Sequence, residues 1–211
     1  MLKNLKREGT VLVAATALLA AGCAMMAPKA ERYVAPPLGT TWESTRRDSG
    51  SYGSGAAKVS SRRGERQWQG EKVLTFEGEM TILAKPTGNW IGFFKGDTPV
   101  MTWDPPLNWE WPLEVGKTWT REQRVTIHAA KRTIPYRLTE KVEAYEDVTV
   151  PAGTFRAFKV STVTSLGDEN LVWFSPAHGV FVKQSLRRTA KHAQGPGTRE
   201  IELLSYKRTA D

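Results

Sequence analysis

The chain has 211 residues and a formal charge of +8, with eight Trp and one Cys. That length fits one domain with a useful core once a targeting segment is set aside. A single cysteine excludes an intramolecular disulfide and a cysteine-rich metal site. The basic excess fits a solvated surface that keeps a domain soluble, and it also suits an anionic membrane surface or an acidic partner.

Lys3, Lys6 and Arg7 precede an uncharged apolar run over 10–21. The run is too short for a bilayer span, which needs about 20 residues, so residues 1–22 read as a secretory signal. Ala20-Ala21-Gly22 followed by Cys23 resembles the lipobox of bacterial lipoproteins, with Ala20 where Leu is usual and Leu19 one place further back. The resemblance implies cleavage before Cys23, a diacylglycerol on its sulfur, an acyl chain such as palmitate on the new amino group, and a membrane partnership through that lipid. Ala24 stands where an Asp would favour the inner membrane, so the resemblance implies the outer membrane, facing the periplasm. An exported chain has no nucleic acid among its expected partners.

Residues 23–38 contain Pro28, Pro36 and Pro37 and no regular apolar period, which predicts a lipidated N-terminus and flexible tether. From 39 to 208 the chain alternates short apolar runs with turn signals, and no segment keeps a 3.6-residue period over three turns. Strands are expected near 39–47, 58–63, 73–76, 80–84, 90–94 and 100–103. Asp104-Pro105-Pro106 is expected to end a strand, with one helical turn near 108–111. Further strands are expected at 119–127, 133–142, 146–150, 155–166, 171–174, 180–188 and 198–206. Pro151-Ala152-Gly153-Thr154 is a tight-turn signal.

PLEVGKTW at 112–119, VTVPAGTFRAFKV at 148–160 and WFSPAHGVFVK at 173–183 together resemble a group of bacterial exported domains of unknown function. That resemblance covers about a third of the chain, implies a long curved antiparallel sheet and carries no known chemistry. The expected fold is therefore mainly β, a single long curved antiparallel sheet or half-barrel clamshell, with few or no helices outside the signal.

His128, His178 and His192 all fall in or beside turns and read as surface residues. No Gly-x-Ser-x-Gly elbow and no metal-ligand spacing occurs in the sequence. The reading is of a non-enzymatic protein without metal or cofactor. It would bind an apolar ligand or an envelope protein partner on its sheet. The alternative is a glycan or peptidoglycan module using exposed Trp. Trp103, Trp109, Trp111, Arg121, Gln123, Glu140, Trp173 and Phe181 are the candidate ligand-binding residues.

Two registers follow. A four-residue loop over 129–132 would pair Ile127 with Ile134 and Arg121 with Glu140, setting Arg121, Gln123 and Glu140 on one face as a polar floor. A loop over 175–179 would pair Phe174 with Val180 and Trp173 with Phe181.

Overall fold

The computed structural model describes residues 28–210. The signal over 1–22 and the lipidation site Cys23 lie outside the described residues. Those described form fourteen strands and no helix. The first seven are β1 Lys29–Ala30, β2 Thr41–Gly50, β3 Gly55–Trp68, β4 Glu71–Glu77, β5 Thr81–Ala84, β6 Trp90–Lys95 and β7 Thr98–Leu107. The rest are β8 Leu113–Glu114, β9 Thr118–Ile127, β10 Arg132–Val150, β11 Gly153–Thr164, β12 Asp168–Ser175, β13 Val180–Arg188 and β14 Gly197–Lys207. Strand β7 runs through Asp104-Pro105-Pro106, so the expected stop there does not occur, and no helical turn forms at 108–111.

Alternation decides the two faces. Along β9 and β10, Trp119, Gln123, Val125, Leu138, Glu140 and Val142 are buried, while Thr120, Glu122, Arg124, Arg137, Thr139 and Lys141 are exposed. The outer wall therefore faces water, since a lipid-facing barrel wall presents an apolar band.

The expected open or half-barrel sheet is corrected. Twelve strands close into an antiparallel barrel in the order β10, β11, β12, β13, β14, β2, β3, β4, β5, β6, β7, β9. Closure comes from β14 pairing with β2 and from β9 pairing with both β7 and β10. It removes exposed strand edges, which is the physical gain over an open sheet. Among the described strands, β1 and β8 stand apart as a two-stranded ribbon.

Strand β10 overshoots the barrel. A bulge between Val142 and Ala144 shifts its phase, so Tyr145 pairs with Phe158 on the inner side. The hairpin tip then folds back, and the Ala152 N–H donates to the Leu203 carbonyl at 3.0 Å. Val148, Val150 and Ala157 bury themselves there with Val182 and Leu203, against Trp42, Phe155, Trp173 and Tyr206.

Both expected registers are corrected. The β9–β10 loop is 128–131, closed by Lys131 N–H to the His128 carbonyl at 3.1 Å with Lys131 at φ 49°. His128 is claimed by the neighbouring strand, its N–H donating to the Val100 carbonyl at 3.1 Å. Ile127 therefore pairs with Arg132, Arg121 with Leu138 and Trp119 with Glu140, a slip of two residues. An even slip keeps every residue on its face, so Arg121, Gln123 and Glu140 still point inward together. In the β12–β13 hairpin, Ser175 pairs with Val180 and Phe174 with Phe181, and a bulge then sets Trp173 opposite Lys183. Trp173 consequently faces away from Phe181.

The segment expected as a free tether is attached from Lys29 onward. Lys29 and Ala30 pair with Glu114 and Leu113, and Ala30 is buried. The Tyr33 hydroxyl donates to the Gly179 carbonyl at 3.2 Å. Gly179 has φ 69°, and a Cβ there would lie 2.3 Å from the Val34 carbonyl oxygen. At Gly88 a Cβ would lie 2.6 Å from the Tyr33 ring. Two glycines thus make the groove that seats this strap.

Candidate functional site

The strap and the 108–112 connection stopper one end of the barrel with aromatic rings. Trp109 contacts Phe174, Phe181 and Trp111 at centroid separations of 5.4, 5.6 and 6.2 Å. Tyr33 adds contacts to Phe174 at 6.0 Å and Trp111 at 6.4 Å. Trp90 on β6 meets Phe181 on β13 at 6.0 Å. Those strands are six places apart in the twelve-strand order, so the contact spans the barrel from wall to wall. Phe93 carries the chain of rings on from Trp90 at 5.9 Å to Trp103 at 5.3 Å. Most of these pairs are edge-on or tilted, the favoured aromatic geometries. Burial pushes the Tyr33 phenol well above its ordinary range.

Glu140 sits on this stopper, 4% exposed. Its carboxyl accepts from Trp109 Nε1 at 2.9 Å, Trp119 Nε1 at 2.8 Å and Thr162 Oγ1 at 3.3 Å. Burial pushes its pKa up to about 7, opposed by those three donors and by the Arg121 charge. Arg121 itself pairs with Glu110 at 3.2 Å, not with Glu140.

Three inward side chains carry a donor nitrogen with no partner among the described residues: Trp103 Nε1, Gln123 Nε2 and Arg121 Nε. Trp103 and Gln123 are 8% and 6% exposed. They lie close in register, since Trp103 pairs with Val125 and Gln123 follows two places along the same inward column. A buried donor without an acceptor costs about 1–3 kcal/mol.

Elsewhere on the inward columns aliphatic and polar residues are mixed. Val59, Ile82, Ile134, Leu186 and Ile201 stay half-buried, with Ile201 between Gln184 and Arg46 and Leu186 between Asn170 and Arg199, while Val172 packs against the core of the stopper. The far rim is polar again. Arg199 donates to both Asp48 oxygens at 2.7 and 2.9 Å and holds that carboxyl below its usual range. The Tyr52 ring lies between Arg188 at 3.9 Å and Arg199 at 4.7 Å.

The fold brings Trp103, Trp109, Trp111, Arg121, Gln123, Glu140 and Phe181 to this stopper and its upper surface. Trp173 is excluded: its indole donates to Glu146 at 2.8 Å on the other face, with Lys159 and Lys183 over its ring. Trp109 and Trp111 are engaged in ring packing and stay half-buried. Sequence reasoning missed Tyr33, Trp90, Phe93 and Phe174. The cluster of aromatic residues at 90–111 was a signal for two of them, whereas Tyr33 lies in a proline-rich stretch with no period.

Two open grooves have volumes of about 600 and 590 Å³: the first is lined by residues such as Glu43, Arg62 and Lys207, and the second by Trp68, Ile91 and Trp103 together with Glu71, Lys85 and His128. The histidines are more engaged than expected. His178 is wedged between Phe155 and Tyr206, with its Nδ1 2.9 Å from Ser175 Oγ. Ser175 is 1% exposed, so this pair closes a turn and does not present a nucleophile. His128 bonds Thr102 at 2.9 Å. Among the described residues no group of three or more His, Cys, Asp or Glu side chains is placed to hold a metal ion.

No family model matches the sequence, and no curated protein matches it significantly. Solved structures of similar fold include a Parabacteroides distasonis ATCC 8503 protein named as a lipoprotein, at 10% identity and TM-score 0.44, covering 84% of this chain and 99% of that one. A Bacteroides fragilis NCTC 9343 protein named as exported and YmcC-like is 13% identical, at TM-score 0.43, covering 84% and 100%. Escherichia coli K12 YmcC, named as a lipoprotein, is 12% identical, at TM-score 0.43, covering 82% and 86%. Likeness at this level assigns no activity.

Proposed function

We propose that this chain is a non-catalytic lipoprotein of the outer membrane, facing the periplasm, whose barrel takes up an apolar ligand. The signal over 1–22 and Cys23 supply the export and the anchor, and the site comprises Trp103, Trp109, Trp111, Arg121, Gln123, Glu140 and Phe181. The carrying observation is the closed barrel stoppered by rings that meet across it, with half-buried aliphatic residues above the stopper. A filled core would bury those residues fully, as the Leu138, Val142 and Val160 positions are buried at 1% exposure or less.

The test is a titration of the full chain, held in an amphipathic polymer, with the neutral fluorophore N-phenyl-1-naphthylamine. Saturable one-to-one binding in the parent and its loss in Leu186→Trp, which fills the interior, is the expected result. Binding that is absent, or that is unchanged by Leu186→Trp, contradicts the proposal.

A further inference from the structure

We infer that the groove on the outer wall along β6 and β7 binds a sugar chain, seated on the Trp68 indole and held through its hydroxyl groups by Asp104, Glu71, Lys85 and Gln69. This goes beyond the proposed uptake of an apolar ligand inside the barrel and does not depend on it.

A local fold of the wall builds the groove. Thr102 pairs with Thr126 on the outer face, Gly92 with Thr102 and Leu83 with Gly92, so Leu83 points outward. Phe94 follows inward Phe93 and points outward too. Both are nevertheless 0% exposed, as is Val73, and Trp68 packs against them. The indole meets Phe94 edge-on at 4.9 Å, and the Arg66 guanidinium lies over the two rings at 5.6 and 5.3 Å. A small second core outside the barrel thus fixes Trp68, which stays half-buried and lines the groove. On the other side, Trp90 pairs with Leu107 and Gly92 with Thr102, so the stretch 103–106 bulges opposite Ile91 alone. That bulge carries Asp104 to an exposed lip. His128 bonds Thr102 at 2.9 Å and closes the end.

The lining selects the ligand. A volume of about 590 Å³ is that of a small-ligand site. Apolar surface from Trp68, Pro99 and Pro106 adjoins the acceptors Asp104 and Glu71, the donor Lys85, and Gln69, which does both. Lys85 pairs with Glu71, which orients the two side chains. A hydrocarbon would strip water from these charges and return no hydrogen bond. An anion would meet two carboxylates against one ammonium. A peptide strand finds no edge here, because β6 and β7 are paired on both sides. A pyranose satisfies both kinds of surface, since each hydroxyl donates and accepts and its C–H face covers an indole. Two sources share this chemistry: an N-acetylated glycan, as in a cell wall, and a plain hexose polymer.

The experiment uses the full chain in an amphipathic polymer, with 5-fluorotryptophan in place of its eight Trp. Chitotetraose and cellotetraose are titrated in turn and read by ¹⁹F resonance, the Trp68 signal being assigned by its loss in Trp68→Phe. At least one sugar should shift that signal saturably at millimolar concentration or below. Which sugar binds assigns the source, and binding of both assigns the hexose ring they share. Asp104→Ala and Glu71→Ala should each weaken binding about fivefold or more by removing a charged hydrogen bond. Both should leave the affinity for N-phenyl-1-naphthylamine unchanged. Trp103, common to this lining and the apolar site, is left in place throughout. If neither sugar moves the Trp68 signal, if other Trp signals move without it, or if both variants bind as the parent does, the sugar inference fails. The apolar reading is then judged by the fluorophore alone. Should one variant not fold, the other carries the test.

Discussion

Replacing Glu140 by Gln gives a pH-dependent change in stability whose sign and size follow from the structure. The carboxyl titrates near 4.5 when unfolded and at about 7 when folded. Between those values the folded chain keeps the proton and the unfolded chain does not, so stability falls as pH rises through this window and levels off above it. A shift of about 2.5 units corresponds to roughly 3 kcal/mol. The Gln variant lacks this titration. It also turns an amide nitrogen toward one of the two indole N–H groups, leaving a buried donor unmet at a cost of about 1–3 kcal/mol. Urea denaturation at pH 5, 6, 7 and 8 should therefore find the parent more stable at pH 5. The gap should close or reverse by pH 8, moving by about 2.5 kcal/mol over this range. Other titrating groups, such as His178 with its pKa lowered by burial, are common to both proteins and cancel in the difference. A gap that is the same from pH 5 to pH 8 would refute the placement of Glu140 as a buried, proton-holding carboxyl.

Further outcomes follow from other parts of the fold. Gly179→Ala should cost about 2 kcal/mol or more and speed tryptic cleavage after Lys29 and Arg32, because its Cβ would meet the strap backbone. Equal cleavage rates would show that the strap is not seated there. Tyr52→Ala should lose about 1 kcal/mol in denaturant melts by removing the ring between Arg188 and Arg199. A neutral effect would remove the rim contact from the account. Cys23→Ser should abolish palmitate labelling and outer-membrane fractionation, and unchanged labelling would overturn the anchor.

The sequence reveals local pairing well and closure poorly. Alternation in 119–127 and 133–142 placed Arg121, Gln123 and Glu140 on one buried face, because strand period alone fixes sides. The same pattern left the register two residues off, since it was decided by His128 bonding across to Val100 and by Lys131 adopting a positive φ. Neither has a composition signal. Trp173 was misplaced because the loop is one residue shorter than expected: Ser175 pairs with Val180, so Phe174 and not Trp173 stands opposite Phe181, and a one-residue slip changes the face. Barrel closure depends on β14 meeting β2, a pairing between positions such as Ile201 and Arg46 that no local pattern reports. Tyr33 shows the limit at its plainest, since a proline-rich stretch gives no sign that its one aromatic residue is buried against Phe174 and Trp111.

The central claim is that an apolar ligand occupies the barrel above the aromatic stopper. Native mass spectrometry of the full chain, released from the amphipathic polymer after incubation with N-phenyl-1-naphthylamine, tests it most directly. The account predicts one added ligand mass per chain in the parent and none in Leu186→Trp. A parent spectrum without an adduct, or an adduct that persists undiminished in Leu186→Trp, would contradict it.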